Sequence, residues 1–136
     1  MDGKGDETLL QAGPGAVLDR LIELEHDLGK YLRWPLAMLP ADASDAEWRQ
    51  ALFTALEHTR RGPDGVQGAA EVWADFIVEL GPTDDRHFQT LAAAVERALG
   101  WRQQLEPGAP RPDRARVKAD FDAVAQCLAR WIEALQ

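Results

Sequence analysis

Apolar residues recur at alternating spacings of three and four through five segments of the chain, and that spacing gathers them on one face of an α-helix. In the first segment, predicted over about residues 16–33, they are Val17, Leu21, Leu24, Leu28 and Tyr31. It should stop ahead of Pro35, because the residue before a proline is pushed out of the α region. The second begins near Ser44, where Ser44-Asp45-Ala46-Glu47 has the form of a capping box, and runs to about Arg60. Trp48, Leu52, Ala55 and Thr59 are its inward set. The third covers about residues 66–80, with Ala69, Ala70, Trp73, Ile77 and Leu80 inward. The fourth covers about residues 84–106 with Phe88, Leu91, Val95 and Leu99 inward, and Gly100 should bend it or end it a turn early. The last, about residues 113–135, has the most regular heptad: Val117, Phe121, Val124, Leu128, Trp131 and Leu135.

Breaks separate the segments. Gly13-Pro14-Gly15 divides a loose arm, residues 1–13, from a single domain, residues 14–136. Trp34-Pro35-Leu36-Ala37-Met38-Leu39-Pro40 is apolar but bracketed by prolines, so an extended crossover is expected there. Arg61-Gly62-Pro63-Asp64-Gly65 has the residue types of a tight turn. Gly81-Pro82-Thr83-Asp84 should end the third helix and supply caps for the fourth. No strand pattern intervenes, and one tryptophan accompanies each segment: Trp34, Trp48, Trp73, Trp101 and Trp131. The predicted fold is a compact all-α bundle of about five helices, mostly antiparallel neighbours. Its core should hold Leu21, Leu28, Leu52, Trp73, Ile77, Val95, Phe121, Leu128 and Trp131.

Composition narrows the setting. At 136 residues one domain can bury a core without metal or disulfide staples. The single cysteine, Cys127, flanks an apolar helix face and is expected to behave as a small buried hydrophobe. Twenty-three acidic residues against fifteen Lys and Arg leave a charge of −8. That balance opposes general nucleic-acid binding and could steer a basic partner. A polar start without an apolar signal core, and no apolar run of the roughly 20 residues that span a bilayer, point to a cytoplasmic protein.

Residues able to do chemistry are few. A dimetal site in a bundle needs Glu-x-x-His on two helices and a Glu from each of two others, all inward. Glu23-x-x-His26 and Asp84-x-x-His87 come nearest. At about 100° per residue, Glu23 and His26 fall opposite Leu21, Leu24 and Leu28, and Asp84 and His87 sit where acids usually cap. Convergence of Glu23, Glu25, His26, His58 and His87 would be needed for a metal- or small-ligand-binding bundle, the alternative to a protein-binding one. Ser44, the only serine, is taken as a cap, and the glycines at 62, 65 and 68 lack the Lys-Ser/Thr of a phosphate loop. No catalytic residue, cofactor or metal is therefore expected.

Glu25 falls among Leu18, Leu21, Leu28 and Leu32, and Arg102 aligns with Phe88, Val95 and Leu99, so the two are candidates for a buried pair, unless both reach water at a rim. Arg111, Arg114, Arg116 and Lys118 crowd a helix N-terminus and could hold an anion; surface salt bridges to Asp113 or Asp120 are the alternative. Phe53, about 120° from the inner face of its helix, lies among Arg49, Glu57 and Arg60 and is the first candidate anchor for a partner. Leu36 and Met38 of the crossover are the second. Acidic stripes (Asp19, Glu23, Asp27 and Glu71, Asp75, Glu79) run along two outer faces. The pattern points to a small acidic helical domain that binds another protein as adaptor, regulator, inhibitor or immunity-type factor. A symmetric or domain-swapped homodimer is compatible with it.

Overall fold

A computed structural model of the protein describes residues 7–56, 68–106, 108 and 113–136, with the side chains of residues 31, 34 and 35 outside that description. The described residues form six α-helices and one 3₁₀ segment, with no strand among them. The helices are α1 (Leu9–Ala12), α2 (Pro14–Ala37), α3 (Asp45–Leu56), α4 (Ala69–Leu80), α5 (Arg86–Leu99) and α6 (Arg114–Leu135); the 3₁₀ segment Gly100–Leu105 joins α5 towards α6. α2 packs on α3, α4 and α6, and α6 packs on α5, so the two longest helices form the centre of an all-α fold. The turn expected at residues 61–65 and Thr59 lie outside the described residues, as do the side chains of Tyr31 and Trp34.

Local chemistry sets most boundaries. Ser44 and Glu47 exchange the two bonds of a capping box: the Ser44 N–H donates to Glu47 Oε1 at 3.1 Å and the Glu47 N–H to Ser44 Oγ at 3.2 Å. Asp85, one residue past the expected cap, accepts from the N–H groups of His87 and Phe88 and starts α5. Asp113 does the same for α6 through Ala115 and Arg116. At Gly100 the α-helix gives way to the tighter 3₁₀ turn, one of the outcomes glycine suggested there. Trp101 Nε1 then donates to Asp120 Oδ2 at 2.8 Å, tying this turn to α6.

Three features differ from the pattern's prediction. Part of the stretch expected as an arm is helical: Thr8 and Gln11 make a capping box for α1, and Leu9 packs against the core. The helix break expected before Pro35 comes after Ala37 instead. Proline removes one N–H from the last turn, a cost offset there because Leu28, Leu32 and Leu36 continue one apolar face onto the core. The residues of the predicted crossover are thus divided between the end of α2 and a turn in which the Leu39 N–H donates to Leu36 O at 3.2 Å.

The third difference is the register of α4. Ala69, Val72, Trp73, Phe76 and Leu80 face inward, while Ile77, expected in the core, is 40% exposed. Away from the acidic stripe of Glu71, Asp75 and Glu79 this helix is apolar, so periodicity alone leaves either Phe76 or Ile77 as an inward residue. Aromatic contacts decide between them. Phe76 stacks on Trp73 at 5.6 Å and meets Trp131 edge-on at 6.2 Å. The other predicted core residues are buried: Leu21, Leu28, Leu52, Trp73, Val95, Phe121, Leu128 and Trp131. Gly81 closes α4 at φ +94°, a left-handed value that favours glycine, and a Cβ there would lie 2.7 Å from Thr8.

Candidate binding surfaces

The titratable residues considered for chemistry lie on outer faces. Glu23, Glu25 and His26 are exposed on α2, and Asp84 and His87 are exposed around the start of α5. His58 lies outside the described residues. Among the described residues no group of three or more His, Cys, Asp or Glu is arranged to hold a metal. Cys127 is half-buried rather than buried; it edges a hollow between α5 and α6 that also takes in Gln89, Thr90, Ala93 and Arg97.

The buried pair of Glu25 and Arg102 does not form. Both side chains are exposed, and the described residues bury no charged side chain. Glu25, offset from the centre of its helix face, sits at the rim. Arg102 lies in the 3₁₀ segment, where the projection of an α-helix no longer holds, and its Nε donates to Leu99 O at 3.0 Å.

The cations around the start of α6 go to separate places. Arg111 lies outside the described residues, and Arg116 is exposed. Arg114 reaches away from the helix axis, donating to the carbonyls of Pro40 at 3.3 Å and Ala41 at 3.5 Å, with its guanidinium 5.4 Å above the ring of Trp48. Lys118 pairs with Asp122 at 3.3 Å. Asp113 already accepts from the N–H groups of Ala115 and Arg116 that an anion at this terminus would use.

Of the partner-binding candidates, Phe53 is 41% exposed and Arg49 is half-buried on α3; Arg60 lies outside the described residues. Leu36 packs against the core, whereas Met38 is 83% exposed. Met38 and Leu39 stand over α3, where with Ala46, Glu47, Gln50, Ala51 and Thr54 they line a shallow hollow of about 660 Å³. Phe53 is on the same helix but does not line this hollow.

Two concavities were not foreseen. A groove of about 790 Å³ runs between α2 and α6, past Ile22, Glu25, Gly29 and Arg33 on one wall and Ala125 and Ala129 on the other. It adjoins a second, smaller pocket of about 410 Å³, with Leu32, Leu36, Leu39, Trp48 and Phe121 as apolar walls and Arg33, Arg114, Lys118 and Asp122 as charged members. The pocket joins residues far apart along the chain, which no local spacing reveals. Gly29, in the body of a long helix, was the available signal for the groove. No described helix is long and apolar enough to cross a membrane. Neither a family model, nor a curated protein, nor a solved structure matches the chain.

Proposed function

We propose that this chain is a binding module that takes a partner protein on the face of α3 and has no catalytic centre of its own. The exposure of Met38, 83% at the edge of a mostly apolar hollow, carries this reading. A flexible thioether left in water beside apolar neighbours gains most when a partner covers it, and methionine adapts to differently shaped surfaces. Phe53, 41% exposed on the same helix, supplies a second anchor, and a charge of −8 favours encounter with a basic partner. The address that fits is the cytoplasm, and the role is that of an adaptor, regulator, inhibitor or immunity-type factor. A photo-crosslinking residue at position 38, compared with one at the exposed position 19, tests this in the native cell. One stoichiometric protein adduct at position 38 alone is expected, lost on Phe53→Asp while thermal stability is kept. Equal labelling from both positions refutes it.

The pocket beside Trp48 favours a second reading, a module for a small ligand. Its volume falls in the roughly 300–1,000 Å³ range of small-molecule sites, and its charged members are three cations and one carboxylate. Lys and Arg only donate hydrogen bonds, so the chemistry that fits is an anionic head on an apolar body. Calorimetric titration with decanoate and decylamine separates the cases: binding of decanoate alone supports the ligand module, and equal or absent binding removes it.

A further inference from the structure

Gly29 sits well inside the 24-residue helix α2, and nothing within the described chain requires a glycine there. Its φ is not in the left-handed region, and a Cβ added to it would meet no atom within 4 Å. Glycine in such a place destabilises a helix relative to alanine. A close approach from outside the chain would give the missing side chain a use.

The residues around Gly29 describe what approaches. At about 100° per residue, Ile22, Glu25, Arg33 and Leu36 all lie within about 40° of Gly29 on one helix face. Ile22 is 48% exposed, Leu36 is half-buried, and Glu25 and Arg33 are exposed with no ion-pair or hydrogen-bond partner among the described residues. Glu25 and Arg33 are separated by about 12 Å along the helix, too far to pair within it. The order is symmetric about Gly29: Glu25 and Arg33 each stand four positions away, and Ile22 and Leu36 each stand seven away. A second α2 laid antiparallel across the first, with a two-fold axis at Gly29, sets Glu25 against Arg33 twice and Ile22 against Leu36 twice. Across the groove, Ala125 and Ala129 on α6 are short enough to leave the approach open.

We infer that the α2–α6 groove is a self-association surface, taking α2 of a second copy of this chain antiparallel across Gly29. Two-fold dimers require a self-complementary patch, and this face supplies opposite charge, apolar contact and clearance in one register. The surface is distinct from the α3 face and does not depend on a partner binding there.

Sedimentation equilibrium of the full chain, with helicity followed by circular dichroism, tests this. Glu25→Arg and Arg33→Glu should each weaken the dimer by about tenfold or more in Kd, because each change places like charges together at two symmetric sites. The double variant Glu25→Arg/Arg33→Glu should return to within about threefold of the parent. Gly29→Ala should raise the thermal stability of the monomer yet weaken the dimer, opposite signs that a purely internal role does not produce. Met38→Asp should leave the dimer intact. A parent chain that stays monomeric to about 0.5 mM, far above the Kd of a specific dimer, overturns the inference. So does failure of the double variant to recover, or loss of the dimer on Met38→Asp.

Discussion

The two ends of the bundle use the same ingredients, a buried tryptophan and an arginine laid over an aromatic ring, and arrive at opposite results. At one end Trp73, Phe76, Phe88 and Trp131 join α4, α5 and α6 through four ring contacts between 5.6 and 6.3 Å. Arg20 of α2 lies 5.9 Å from the Phe76 ring and forms a forked bond to Glu79 at 3.1–3.3 Å. At the other end Trp48 lies under Arg114, which rests on the neutral carbonyls of Pro40 and Ala41, and a pocket of about 410 Å³ opens beside them. Rings that meet other rings fill the space between helices. At the pocket end Trp48 is buried as well, but the aliphatic residues Leu32, Leu36 and Leu39 line the space beside it without filling it. The first end holds the fold together; the second keeps a concavity in it.

The largest effect should come from breaking the ring end. Phe76→Ala removes a fully buried ring that contacts two others, and should cost about 3–5 kcal/mol in denaturant unfolding. Leu36→Ala, at the edge of the open pocket, should cost no more than about 1 kcal/mol, because water already reaches its surroundings and no sealed cavity forms. Equal costs would mean that the pocket end is as tightly built as the ring end, and the contrast would fail.

The contrast also shows what could be read in the chain. Periodicity placed the inward faces of α3, α5 and α6 because each has polar residues opposite its apolar ones. On α4 it placed Ala69, Trp73 and Leu80 inward but took Ile77 where Phe76, equally apolar, is buried against the rings of Trp73 and Trp131. The capping box at Ser44 was legible; the equivalent one at Thr8 and Gln11 begins a single helical turn, too short for any apolar period to announce. Pro35 misled because its local preference is overruled by burial on the same helix face. Of the candidate surfaces, Phe53 could be placed off the inner face from spacing; the proline-flanked stretch offered Leu36 and Met38 together, and only Met38 stands exposed. The groove and pocket could not be placed, since Arg33, Trp48 and Arg114 meet only through the packing of three helices. Arg20, which bonds Glu79 on one acidic stripe and approaches Glu23 on another at 3.9 Å, is likewise invisible to local pattern.

A smaller effect separates the two arginines. Arg20→Met removes a forked ion pair and a cation from over a ring, and should cost about 1–2 kcal/mol at low salt. Added salt should shrink that cost, since Glu79 is partly exposed and the pair is screened. Arg114→Met removes hydrogen bonds to uncharged carbonyls, so its cost should change little between low salt and about 0.5 M salt, where screening is strong. The measurement is the difference between the two variants' salt dependences in urea unfolding. Parallel curves would place both arginines in the same electrostatic setting and remove this part of the contrast.

The smallest effect belongs to the start of α3, whose first turn carries Trp48 into the pocket end. Ser44→Ala removes the hydroxyl that accepts the Glu47 N–H, and should cost about 1 kcal/mol. Its pH dependence follows from Glu47, whose carboxyl is held below the usual 4.5 by the Ser44 backbone N–H first and the Ser44 side chain second. Because the folded state binds this proton less readily than the unfolded chain, the carboxylate adds stability at pH values above about 4.5. That contribution is lost as the pH falls through the lowered folded value, when the carboxyl takes up its proton and accepts less well. Glu47→Gln should therefore be slightly less stable than the parent at neutral pH and equal to it in acid. If the two chains differ by the same amount at both pH values, the cap acts without its charge. The hydrogen bonds of Ser44 and Glu47 would then hold the start of α3 without help from the Glu47 charge.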